Sequence, residues 1–154
     1  MTQRDFCLTG ITVNLPPNDA WARFVEHMHV WWPREYTWSK NDLDWIGFRD
    51  GRCMEINKEG GHQNWGEVIS ATDAENLTFS WNIGPDSSAI ALDDDAGNVS
   101  VSFSGMGQSA TRVSVMHSGF QRYGNGWEDY LRDMASDMGW KYILTRYADL
   151  TAEQ

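Results

Sequence analysis

The chain is short of cations, cysteine, histidine and long apolar runs, and each shortage closes off a class of function. Lysine and arginine number 12 against 22 aspartates and glutamates, a formal net charge of −10. A surface this acidic repels phosphate backbones and anionic headgroups, so neither nucleic acid nor a membrane surface is expected as a partner. No stretch reaches the ~18 apolar residues that suggest a transmembrane helix. The N-terminus, Met1-Thr2-Gln3-Arg4-Asp5, lacks the charged-then-apolar layout of a signal peptide. A soluble, cytoplasmic protein is therefore the expectation. The two cysteines, Cys7 and Cys53, read as reduced, half-buried thiols rather than a disulfide.

The histidines are His27, His29, His62 and His117. His27 and His29 are two apart and share no helix face, and no cysteine pair has zinc spacing. No metal and no cofactor are expected. A Gly-x-Ser-x-Gly elbow is missing. Gly105-Met106-Gly107 joins two strands instead of opening a helix, so it is no phosphate loop. No catalytic residue is assigned.

What the 154 residues do contain is nine tryptophans, with six phenylalanines, five tyrosines and seven methionines. An indole ring needs burial and its N–H an acceptor. So many large rings in one domain, residues 1–154, make an aromatic core, an aromatic-lined cavity, or both.

Residues 6–14 alternate and read as a strand. Pro16-Pro17 stops it, and Asn18 is expected to cap a short helix with Asp19 in its first turn. Trp21, Phe24, Val25 and Met28 give that helix one apolar face. Residues 29–33 form an aromatic turn containing Trp32. Residues 34–44, with Tyr36 and Trp38, read either as a lid or as an ordinary connection. Strands follow at 44–49 and 52–57 around Asp50-Gly51, a strong hairpin signal. Further strands are read at 62–72, 76–83, 98–104 and 111–119. Leu77, Phe79 and Trp81 share one face; so do Val99, Val101 and Phe103, and Val113, Val115 and His117. One apolar and one polar face mark an antiparallel sheet.

The apolar face needs a cover, and the spacing predicts a helix from Gly126 to Tyr147, roughly 33 Å long. Trp127, Tyr130, Leu131, Met134 and Met138 form a first stripe. After Gly139 a second stripe, Trp140, Ile143, Leu144 and Tyr147, points nearly the other way. The expectation is that the first half covers a cavity on the sheet and the second packs elsewhere. The fold class is therefore α+β: a curved antiparallel sheet of about seven strands around a long C-terminal helix.

These residues also resemble a known superfamily. Ala20-Trp21 and Phe24 followed by Trp31-Trp32-Pro33, Trp65-Gly66-Glu67-Val68 followed by Leu77 to Trp81, Thr111-Arg112-Val113 with His117 to Phe120, and Gly126-Trp127 together resemble the SRPBCC, or START-like, helix-grip superfamily. Within it they are similar to the branch named for the activator of the heat-shock-protein-90 ATPase. The resemblance implies a cavity between sheet and helix for lipids, polyketides or other apolar molecules.

The expected cavity lining is Trp32, Trp38, Met54, Trp65, Phe79 and Trp81, then Phe103, Val115 and His117, then the first helical stripe from Trp127 to Met138. The methionines suit an adaptable wall. His117 reads as a structural histidine before it reads as an acid or base. Whether Glu55 and Glu67 face inward is open at this point. The leading reading is a binding module for a small apolar or aromatic molecule. A cyclase, dehydratase or hydrolase using the same cavity is the second, and a chaperone cofactor the third. A homodimer stays open.

Overall fold

A computed structural model describes residues 4–152. Seven strands form one sheet in the order β1-β7-β6-β5-β4-β3-β2, with every pairing antiparallel. The strands are β1 (Phe6–Val13), β2 (Leu43–Arg49), β3 (Arg52–Asn57), β4 (His62–Thr72), β5 (Asn76–Trp81), β6 (Gly97–Gly105) and β7 (Thr111–Ser118). From β2 to β7 the sheet is a simple meander, and β1 is added on β7 at the far edge. The chain must therefore cross from one edge to the other after β1. Helices α1 (Pro17–Val25) and α2 (Met28–Trp31), and then a strap of two short 3-10 turns, Arg34–Tyr36 and Lys40–Asp42, make that crossing.

Two helices close the chain, α3 (Trp127–Ala135) and α4 (Trp140–Ala152). This is the expected helix-grip arrangement. Among the described residues, no helix is long and apolar enough to cross a membrane.

Alternation explains the sheet. Leu77, Phe79, Trp81, Val99, Val101, Val113, Val115 and His117 are all buried, as their shared faces require. The hairpin at Asp50-Gly51 forms because both residues take positive φ, 54° and 77°, which suits the right-handed twist of the flanking strands. Register shifts at Leu43/Trp45, Cys53/Met54 and Val68/Ser70 add curvature, as bulges do. Gly66 sits at one of them. A Cβ there would lie 1.7 Å from the Ser80 carbonyl oxygen, so only glycine lets β4 approach β5 so closely.

Two helix expectations are corrected. Asn18 is not the cap of α1: the helix starts at Pro17, whose fixed φ suits a first helical turn. The C-terminal helix is interrupted at residues 136–139. Its first half borders a cavity as expected, but its second half, expected to pack away from the sheet, begins on the sheet and is the half sealed in the core. No residue of α3 is fully buried, whereas Trp140, Ile143, Leu144 and Tyr147 are at most 2% exposed. Trp140 lies on the sheet, 5.1 Å from the Trp81 ring and 5.9 Å from His117. Tyr147 packs instead between Phe24 of α1 and Trp31 of α2, and its hydroxyl donates to the Ala20 carbonyl at 2.7 Å. Each such buried side chain stabilises the fold by about 1.5–3 kcal/mol.

Gly139 explains the tight break. A Cβ at that position would meet the Met134 carbonyl oxygen at 2.2 Å. The break closes with Gly139 N–H donating to the Ser136 carbonyl at 3.0 Å.

Candidate functional site

The break between α3 and α4 opens a cleft of about 450 Å³. Trp32 and Trp81 form much of its depth, Ile83 and Ile143 its sides, and Met134 and Met138 its outer wall. Tyr36 of the strap, Ser87 and Tyr130 complete the rim with Asp133 and Ser136.

The tyrosine hydroxyls and indole N–H groups around this cleft are already engaged. Trp81 Nε1–H donates to Tyr130 Oη at 2.9 Å, and the Tyr130 hydroxyl donates to the Ile83 carbonyl at 2.6 Å. Trp32 Nε1–H reaches the Tyr36 carbonyl at 3.5 Å. The Tyr36 hydroxyl donates to the Met138 carbonyl at 2.6 Å, tying the strap to the helix break. Burial pushes the Tyr130 phenol well above its ordinary range. Apart from Asp133 and Ser87 on the rim, what the cleft presents is therefore aromatic, aliphatic and thioether surface.

Behind this wall lies a second polar chain with a fixed direction. An indole can only donate, so Trp140 Nε1–H donates to His117 Nδ1 at 3.1 Å. His117 then carries its proton on Nε2 and donates to Tyr123 Oη at 3.0 Å. The Tyr123 hydroxyl in turn donates to the Trp81 carbonyl at 2.7 Å. Burial lowers the His117 pKa to about 3. The ring is a neutral structural link and does not open on the cleft.

The strap is pinned from inside. Glu55 is fully buried. It accepts from Trp65 Nε1–H at 2.8 Å, Trp38 N–H at 2.9 Å and Ser39 N–H at 2.7 Å. Three donors on one carboxylate offset much of its desolvation. Glu67 is exposed, so β3 and not β4 supplies the inward acid.

The predicted lining residues separate into groups. Trp32, Trp81, Tyr130, Met134 and Met138 come together in the cleft. Trp38 and Trp65 line a narrower space of about 120 Å³ behind the strap. Phe79, Phe103, Val115 and His117 are filled core: Phe48 of β2 packs on Phe79, Trp21 and Phe24 of α1 on Phe103, and Trp140 of α4 on His117. Trp127 and Leu131 pack half-buried against that core from α3 and do not line the cleft. Met54 is half-buried on the face of β3 opposite Cys53 and Glu55 and does not line the cleft.

Sequence reasoning missed Tyr36, Ile83, Ser87 and Ile143. Ile143 was signalled by its own apolar stripe; Ser87 had no signal. Cys7 and Cys53 are free and buried. Burial raises the Cys7 thiol to about 11 and Cys53 higher still, so neither is a reactive thiolate.

No family model matches the chain, and no curated protein does. Solved structures do. CalC from Micromonospora echinospora, a self-sacrificing resistance protein, is 24% identical with a TM-score of 0.72, over 97% of this chain and 96% of its own. Txn09, an anthrahydroquino-gamma-pyrone synthase, is 22% identical at TM-score 0.66, over 97% and 99%. MLL2253 from Mesorhizobium loti is 17% identical at 0.65, over 97% and 98%. The chain has the helix-grip fold. At these identities the likeness concerns the fold alone.

Proposed function

We propose that the chain binds a small, flat, apolar or aromatic molecule in the cleft at the α3–α4 break. The observation that carries this reading is the pairing of Trp32 and Trp81 with Met134 and Met138 around a cleft of about 450 Å³. That volume and that lining are typical of small-molecule sites. Burying ~300 Å² of ligand apolar surface supplies roughly 7 kcal/mol before the entropic cost of association. Among the structural neighbours, a synthase of a fused aromatic pyrone supports an aromatic ligand.

Binding is favoured over catalysis by the state of the polar groups. An acid–base mechanism needs two titratable groups converging on the ligand. Here Tyr36 and Tyr130 donate to backbone carbonyls, and Asp133 stands exposed on the rim. The chaperone-cofactor reading rests on phrases of the sequence; stimulation of a heat-shock-protein-90 ATPase by the purified chain is its test.

Quenching of tryptophan fluorescence by emodin, a planar anthraquinone, tests the binding reading. Saturable micromolar binding is expected, and Met134→Trp, which fills the cleft from its outer wall, should weaken it more than tenfold. Equal binding by that variant, with an unchanged melting temperature, would remove the cleft as the site.

A further inference from the structure

The cleft does not end at Ser87. Behind the strap it meets the narrow space of about 120 Å³, which shares Tyr36, Ile83 and Ser87 with it. That neck in turn shares Trp38 and Ser87 with an outer cavity of about 410 Å³. Ser87 lines all three spaces, which are therefore neighbours around it. A single hydrogen bond, Trp38 Nε1–H to the Ser87 carbonyl at 2.8 Å, ties the strap to the loop after β5 where they meet. The loop holds that carbonyl in place with two consecutive left-handed residues, Asp86 at φ 56° and Ser87 at φ 61°. Neither is glycine, so the conformation carries a local backbone cost.

The cleft and the outer cavity differ in chemistry. The cleft is walled by tryptophan, isoleucine and methionine. The outer cavity has one indole, Trp38, facing residues with polar side chains, Gln63, Asn64 and Ser87, with Ile90 and two alanines between them. Gln63 pairs with Glu55 across β3 and β4, which places it on the inward face of the sheet. Asn64 Oδ1 accepts from Arg52 Nη1–H at 3.0 Å and Gly66 N–H at 3.2 Å, so the Asn64 amide is oriented with its NH2 left over. One ring face beside amides and a hydroxyl suits a hydroxylated ring, whose C–H face stacks on an indole while its edge hydroxyls meet amides. No cation lines the outer cavity among the described residues, which disfavours a phosphate or carboxylate substituent.

We propose that the ligand is a two-part, glycoside-like molecule. Its apolar ring system lies in the cleft, and its neutral hydroxylated ring lies in the outer cavity against Trp38 and Gln63. This deepens the binding reading above and rests on it.

Emodin and emodin-8-O-glucoside, titrated calorimetrically against the purified chain, test it. The glucoside should bind at least tenfold tighter than emodin. Gln63→Ala should weaken the glucoside severalfold, and Trp38→Leu should bring it to the level of emodin. Gln63→Ala should leave emodin itself within twofold. The Trp38 indole N–H and the Gln63 side-chain amide should shift in 15N spectra with the glucoside and stay put with emodin. Emodin bound with the glucoside no tighter, or both ligands weakened equally by both variants, overturns the hydroxylated subsite and leaves the cleft reading standing. No binding of emodin overturns the cleft reading and the two-part ligand with it.

Discussion

Helices α3 and α4 are neighbours in sequence, both rich in large apolar residues, and they do different jobs. In α4 the residues Trp140, Ile143, Leu144 and Tyr147 are sealed in the core. In α3 the stripe of Trp127, Tyr130, Leu131 and Met134 is only half-buried. One helix holds the sheet; the other forms the rim of an open cleft. The difference teaches that amphipathicity identifies a helix with a partner, but not how completely the partner covers it. Cover depends on the rest of the topology. Here α1 and α2, crossing between the sheet edges, supply the second surface that encloses Tyr147, while α3 has solvent on its outer side.

The contrast is broken most directly by truncating one large side chain on each helix. Trp140→Ala should cost about 3–5 kcal/mol, as large-to-small core changes do, and it also removes the donor to His117 Nδ1. Leu131→Ala on α3 should cost about 1 kcal/mol. Urea unfolding monitored by circular dichroism measures both. Equal costs would mean that α3 is as deeply engaged as α4.

A pH series addresses the same grip through His117. Its folded pKa of about 3 lies below the ordinary histidine value near 6.5. Between those values the unfolded chain binds the extra proton, so stability falls as pH falls and is fully present above about 6.5. From pH 7 to 5 the loss should be about 2 kcal/mol. His117→Gln should flatten that slope. An unchanged slope in the variant would assign the acid sensitivity to other groups.

The break itself is sharpened by Gly139→Ala. Alanine is the better helix former by about 1 kcal/mol, so a continuous helix would gain from it. With the Met134 carbonyl 2.2 Å from the new Cβ, a loss of about 1–2 kcal/mol is expected instead. A gain in urea midpoint would show that the break straightens at little cost.

Much of this architecture is legible in the sequence. The strands are found within one or two residues of their ends, because alternation and the Asp50-Gly51 turn are local signals. The inward series ending at His117 is legible for the same reason. Glu55 is not: the bulge at Cys53/Met54 disturbs the count on the neighbouring strand, and the acid's partners, Trp38 and Ser39, come from a segment without periodicity. The break at Gly139 is half legible. The change of stripe marks it, but only the approach of Met134 shows that the chain must turn there. The left-handed pair Asp86-Ser87 carries no glycine and so gives no warning, which is why the sequence shows a pocket but not its extent.

Met138 gives the smallest stability effect and the cleanest separation of the two roles. The residue is 63% exposed, while its carbonyl, which any residue would supply, accepts from the Tyr36 hydroxyl. Met138→Ala should therefore change stability by less than about 0.5 kcal/mol. It removes part of the outer wall of the cleft, so emodin affinity should fall severalfold at an unchanged urea midpoint. The Trp140 substitution should do the reverse, lowering the midpoint far more than any rim change. If Met138→Ala left affinity untouched, the wall would have to be drawn from Met134 inward, and the α3–α4 break would be a by-product of packing instead of the mouth of a site.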